Sequence, residues 1–359
     1  MRTKAPLARW IPLAIAAGLI VAGIAASAAP GQHPQKSGPS ASTPAPAPGP
    51  SLELPIHRIP NLPEAAEWYF APNGKFLVGN AKGPGDTTHH VYVSSFDGSE
   101  IRRVNDLGQD ACSYFFPDSR RVLWTSTRDW PDLPPGNWSD ANDYPQGAEI
   151  YASDMDGRNV KRLTNNKYYD AECVVAPNGR WILFGRQIDG KMDLWTMDVE
   201  GSNQKQITFT EDWQEGGAQI LPDSETIITR AWKRQDQGKG RGMMPMQIFT
   251  LKRDGSDRQQ ITTDEGTHWA PYPAPDGRHF VYVRVLMEPS GRPNWEIYLR
   301  DMASGEERRL TYDPAFDGFP SISADGRWMT FSSSRGGKPG ERALYQHIMD
   351  ISSLNLGPR

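Results

Sequence analysis

The sequence is poor in the side chains that usually build an active centre. It holds 2 cysteines and 7 histidines in 359 residues. His89 and His90 are neighbours and His268 stands alone, so no spacing suggests a metal triad. No G-x-S-x-G elbow, no H-E-x-x-H and no phosphate-cradling glycine loop is present, which removes the commonest hydrolase, zinc-protease and nucleotide-binding readings. Positive charge is not in excess either. With 39 Lys and Arg against 43 Asp and Glu, the net charge is −4, and binding to nucleic acid has no support. Long apolar runs are missing after residue 29.

The one such run lies at the start. Arg2, Lys4 and Arg9 precede an uncharged segment from Trp10 to Ala29 that ends Ala26-Ser27-Ala28. A basic lead, an apolar stretch and a small-residue cleavage site predict export. About twenty residues also suffice to span a bilayer, so residues 1–29 read as a signal peptide or a retained anchor. In either case the rest faces the periplasm or the exterior, and the membrane is met only through this segment. Residues 30–51 are Pro, Ala, Ser and Gly with almost no charge, the composition of a semi-extended linker.

From Leu52 to Ser353 a unit repeats. Its clearest copy runs from Asp170 to Phe209, with four strand-like runs and two tight turns, Pro177-Asn178-Gly179 and Glu200-Gly201. The first turn recurs at Pro72-Asn73-Gly74, Pro117-Asp118-Ser119, Pro222-Asp223-Ser224, Pro275-Asp276-Gly277 and Ala324-Asp325-Gly326. Repeats of roughly fifty residues with four strands each predict an all-β, six-bladed propeller. The outermost strands read Ile101-Arg102-Arg103-Val104, Val160-Lys161-Arg162-Leu163, QKQIT, RQQIT and ERRLT, but the sixth unit ends in SSLNLGPR, which fits badly. Ile56-His57-Arg58-Ile59 fits well, and it stands as far before Pro72 as Val104 stands before Pro117. Residues 52–59 are therefore expected to add the outer strand to the last blade and close the ring. Residues 354–359 are left as a tail.

Trp124, Trp181, Trp195 and Trp328 are read as core. Cys112 and Cys173 precede the first turns of adjacent blades but lie one step out of register. That register aims them at opposite strand faces, so a disulfide is disfavoured even in an oxidising compartment.

Both tight turns of every unit belong to one face of the ring. The other face collects the connections of variable length, the usual place for binding groups. It carries an insert from Arg128 to Glu149, containing Trp130 and Trp138, and a basic glycine-rich loop from Lys233 to Met246. At matching positions before the first turns stand Asp110, Asp170, Glu215, His268 and Asp317, with Glu172 nearby; Arg128, Arg186, Arg230 and Arg284 end the second strands. These residues predict a polar collar at the channel mouth. Arginines bridging acids of neighbouring blades, a structural calcium ion, or capture of a partner's segment would each use it.

The phrases APNGRWILFGR, APDGRHFVYVR and SADGRWMTFSSSR, each followed by a D-G-type turn and an R-x-L/I-T ending, resemble the TolB-type β-propeller repeat. The resemblance covers nearly all of residues 52–353 and is specific for fold rather than activity. It implies an envelope protein whose six-bladed ring binds other proteins; the expectation drawn here is a monomeric, non-catalytic propeller that binds an envelope protein or a peptide. TolB carries an α/β domain ahead of its propeller, and here only the linker and export segment precede the repeats. Similar repeats also form the propellers of oligogalacturonate lyases, so the alternative is a carbohydrate-active enzyme using the channel acids, arginines and His268.

Overall fold

The computed structural model describes residues 53–134, 136–237, 244–338 and 343–359. The export segment and the linker lie outside the described residues. Among the described residues the strands form six four-stranded antiparallel sheets, five of them each built from one sequence repeat. The innermost strands are Glu64–Phe70, Asp110–Phe115, Tyr169–Val175, Trp213–Ile220, His268–Pro273 and Asp317–Ile322.

The last blade takes its outer strand from the other end of the chain. Ile56, His57 and Arg58 pair antiparallel with Met349, Ile348 and His347, as the spacing predicted. Ile59 N–H continues the ladder to the Gln346 carbonyl at 2.9 Å. Glu53 fastens the closure, accepting from Arg335 Nη1 at 2.8 Å and Nη2 at 2.7 Å. The chain after Ser353 is packed rather than free: Leu356 is buried in the core shared by blades five and six.

The repeated sequence phrases have repeated physical jobs. In the R/Q-x-L/I-T ending, the Thr side chain accepts from a backbone N–H of the third strand. Thr164 does so from Ile150 at 2.9 Å, Thr208 from Leu194 at 2.9 Å, Thr262 from Ile248 at 2.9 Å and Thr311 from Ile297 at 2.8 Å. The residue two before the Thr folds back on the Thr carbonyl, as Arg162, Gln206, Gln260 and Arg309 show. These bonds satisfy buried backbone groups that a strand of two or three residues leaves unpaired.

The two turns of a blade touch on one face, where the residue opening the second turn donates to the end of the first. Phe96 N–H reaches the Lys75 carbonyl at 2.9 Å and Met155 N–H reaches Arg120 at 2.8 Å. Most first turns end in glycine with positive φ, but blades two and four use Ser119 (φ 55°) and Ser224 (φ 60°). Left-handed backbone is costly for serine. A bond between blades offsets it: Ser119 Oγ accepts from Asn73 N–H and Ser224 Oγ from Asn178 N–H, both at 3.0 Å.

The core lies between blades. Trp68, Trp124, Trp181 and Trp232 are fully buried, while Trp195 and Trp328 pack partly buried against neighbouring clusters. Both cysteines are free thiols.

Candidate functional site

Every innermost strand is interrupted by a bulge just inside its start. In five blades the bulge holds a left-handed residue: Cys112, Glu172, Gly217, Ala270 and Phe319, with φ between 49° and 54°. A bulge turns a backbone N–H and a side chain away from the ladder. Here they meet from blade to blade. Cys112 N–H donates to Glu67 Oε1 at 3.1 Å, and Gly217 N–H donates to Glu172 Oε2 at 2.6 Å. Blades one and two, and blades three and four, are thus linked beside the channel, side chain to the next backbone.

Beside these links polar groups and aromatic rings stand together. Glu67 also accepts from Asn80 Nδ2 at 2.7 Å and from the Tyr69 hydroxyl at 2.8 Å. Tyr69 stacks on Tyr114 with centroids 4.2 Å apart, and Gln219 donates to the Tyr114 hydroxyl. Burial, reinforced by the charge of Glu172, raises the Glu67 pKa despite its three donors. Burial and the same two carboxylates push the Cys112 thiol well up, so it stays protonated and unreactive at neutral pH. On the opposite side Trp269 packs with Phe316, Phe319 and Trp295, all partly exposed.

The collar residues fall into two groups. Asp110, Asp170, Glu215, His268 and Asp317 are buried, not displayed at the mouth. Asp110 accepts from Val91 N–H at 2.9 Å and Asn105 Nδ2 at 2.8 Å. Asp170 receives a fork from Arg186, Nε at 2.6 Å and Nη2 at 2.7 Å. Asp317 receives a similar fork from Arg335. Glu215 accepts from Thr210 Oγ1 at 2.9 Å and Arg258 Nη2 at 3.1 Å. His268 Nδ1 faces the Met246 carbonyl at 3.2 Å, and burial lowers its pKa although Asp264 opposes the shift. Among the described residues, no three His, Cys, Asp or Glu side chains gather as a metal donor set.

Bridges between neighbouring blades were one expected use of the arginines, and the register explains why only some form. Asp170 and Arg186 are directly opposed on adjacent strands, so their fork closes within blade three. Arg284 is opposed by His268, which offers no carboxylate, and it turns to Asp264 at 2.9 Å and Glu307 at 3.0 Å. Arg230 alone of the four reaches across, to Glu172 of blade three at 2.7 Å. Arg128 has no such fork; it lies over the Tyr151 ring at 5.6 Å.

The Arg128–Glu149 insert lies across blades two to four. Trp138 Nε1 donates to Gln109 at 3.3 Å, Gln187 Nε2 to the Ala141 carbonyl at 2.7 Å and Gln237 Nε2 to Asn142 at 2.7 Å. Tyr144 stacks on Tyr169 at 4.3 Å, and Trp138 tilts against the same ring at 5.9 Å. Trp130 is left outward and 49% exposed. Among the described residues the other large apolar side chains exposed on this face are Leu107 (52%), Phe209 (71%), Met287 (51%) and Tyr312 (37%). Pattern reading had passed over these four, because single apolar residues in links or at a strand end carry no period.

The solved structures that share this architecture decide the type of propeller. A structure from Agrobacterium tumefaciens described provisionally as TolB aligns over 82% of this chain and 96% of its own, with TM-score 0.55 and 20% identity. TolB of Acinetobacter baumannii aligns over 83% of this chain and 67% of its own, with TM-score 0.52 and 17% identity. The fold is a TolB-like propeller. In sequence, a TolB homologue of Chlorobium luteolum is 22% identical over 45% of this chain but only 33% of its own length. An uncharacterised protein of Agrobacterium fabrum is 25% identical over 64% of this chain and 87% of its own. An oligogalacturonate lyase of Vibrio parahaemolyticus shares the ring at TM-score 0.51 and 12% identity, over 85% of this chain and 96% of its own. No family model matches the chain. At these identities the TolB-like propeller shares a fold with its neighbours, and its activity has to be argued from its own side chains.

Proposed function

We propose that this TolB-like propeller is an exported, non-catalytic scaffold that binds a cell-envelope protein or peptide through its loop-rich face. One observation carries the reading. Of the seven large apolar side chains left exposed among the described residues, Leu107, Trp130, Phe209, Met287 and Tyr312 lie on that face, while Ile101 opens an outer strand and Val160 directly precedes one. Exposed aromatic and aliphatic groups gathered on one rim, beside an insert that spans three blades, are what a protein-binding surface needs. The collar carboxylates and His268, which an enzyme reading would put to work, are held by backbone and side-chain partners inside the blades. The names of the TolB relatives and the apolar segment at residues 10–29 support placement in the envelope.

Capture of partners from envelope extract tests the reading. The full propeller should retain a defined protein, and a variant carrying Trp130→Ala and Phe209→Ala, both exposed on the loop face, should lose it while melting at nearly the same temperature. Appearance of unsaturated uronate absorbance from an acidic polysaccharide, with no protein captured, would instead favour the lyase alternative.

A further inference from the structure

Blade four breaks the pattern of the channel. At its bulge the left-handed position is Gly217, whereas blades two, three, five and six place Cys112, Glu172, Ala270 and Phe319 there. Gly216 precedes it, and two glycines weaken the interior of a strand. The space they leave is filled. A Cβ on Gly217 would lie 1.7 Å from Arg230 Nη1, and one on Gly216 would lie 2.5 Å from Glu172 Oε2. Both glycines therefore serve to admit one guanidinium–carboxylate pair to the channel wall.

That pair is unbalanced in its hydrogen bonds. Both oxygens of Glu172 are engaged, by Arg230 Nη2 and by Gly217 N–H. Arg230 makes only that one hydrogen bond among the described residues, and its Nε is buried without a partner. The insert covers the same corner. Tyr144 stacks on Tyr169 at 4.3 Å, and the two rings share a packed cluster with Ala171, next to Glu172, and with Trp232, two residues after Arg230. The Arg230 guanidinium therefore keeps N–H groups to which no described protein acceptor is bonded.

We propose that this corner of the channel binds a carboxylate, held by Arg230 together with the Tyr144 and Tyr169 hydroxyls, with Glu172 aiming the guanidinium. A planar guanidinium matches a carboxylate edge to edge. The standing charge of Glu172, with Glu67 nearby, favours a singly charged group over a phosphate dianion. The carboxylate could belong to a peptide C-terminus or to a uronic acid, and this site is independent of whether the outer rim docks a protein.

The side-chain Nε–H resonances of arginine, followed by NMR in the intact propeller, read the site directly; the Arg230 signal is assigned by its loss in Arg230→Gln. The probes are N-acetylalanine against N-acetylalaninamide, and glucuronate against glucose. At least one acid should shift the Arg230 signal saturably while its neutral counterpart leaves it unmoved, and the tighter acid identifies the source of the carboxylate. Tyr144→Phe, which removes one hydroxyl and keeps the stack, should weaken that acid about fivefold. If Arg230→Gln does not fold, Tyr144→Phe alone carries the comparison. No saturable shift with either acid, equal response to acid and neutral probe, or unchanged binding in Tyr144→Phe would overturn the proposal.

Discussion

Thr311 serves two buried groups with one hydroxyl. It accepts from Ile297 N–H at 2.8 Å and donates to Glu296 Oε2 at 2.6 Å. Thr311→Val keeps the shape and orphans both, so a loss of about 3 kcal/mol is expected. Thr311→Ser keeps both bonds and gives up one methyl, at about 1 kcal/mol. Urea unfolding of the two variants checks the order, and equal midpoints would remove the hydroxyl from the account. Gly217 makes a second residue-scale case. Gly217→Ala sets a Cβ against Arg230 and strains a left-handed backbone, so it should cost about 2 kcal/mol or more. In an Arg230→Ala background the steric part of that cost disappears, and a double-mutant cycle should show the two changes less than additive. The repeated Thr and Arg were visible in the sequence as a phrase, but their partners were not. Arg162, Arg258 and Arg309 reach Glu149, Glu215 and Glu296 from on or beside the outer strands, whereas the sequence reading offered only second-strand arginines to the collar acids such as Glu215.

At the level of elements, turns and closure were legible because both depend on short-range chemistry. Asn-Gly and Asp-Gly pairs fix a hairpin locally, and the outer strand at Ile56–Arg58 repeats the composition of its five counterparts. Bulges were not legible. They shift the inside-outside alternation within an innermost strand, so a period-two reading assigns channel and inter-blade positions incorrectly beyond them. That is why Tyr69, Tyr114 and Gln219, which follow the bulges, were missed as channel residues. The closing strand has a direct test. His57→Pro removes a ladder N–H opposite Ile348, so amide exchange over Tyr345–Asp350 should rise about tenfold or more, while Lys205–Gln206 in blade three stays protected. Equal exchange in both proteins would mean that the strand does not hold the ring. The entry to the third strand of blade one carries a pH dependence. Burial, helped by Lys82 and His90, lowers the His89 pKa to about 4. The unfolded chain takes up that proton near pH 6.5 and the folded one does not until about pH 4. The stabilisation is therefore complete above pH 6.5 and is lost as pH falls toward 4, on the order of 2 kcal/mol. His89→Asn should flatten the stability profile in that window, and an unchanged slope would assign it to other groups.

At the scale of the whole molecule, the two faces of the ring are chemically unlike. The turn face is built from Asp-Gly and Asn-Gly hairpins whose polar groups bond each other, as Asp97, Asp254 and Asp276 bond the turn residues beside them. The loop face leaves apolar side chains unpartnered and lays an insert over three blades. A ring closed at both ends of the chain can hold such a face rigid, so little ordering entropy is lost when a partner docks. The most direct measurement places a photoreactive phenylalanine analogue at Phe209 on the loop face, or at Lys75 on the turn face, and irradiates each protein in envelope extract. A discrete protein adduct from the Phe209 position and none from the Lys75 position is the predicted result. An adduct formed only from the Lys75 position, or none from the Phe209 position, would contradict the account.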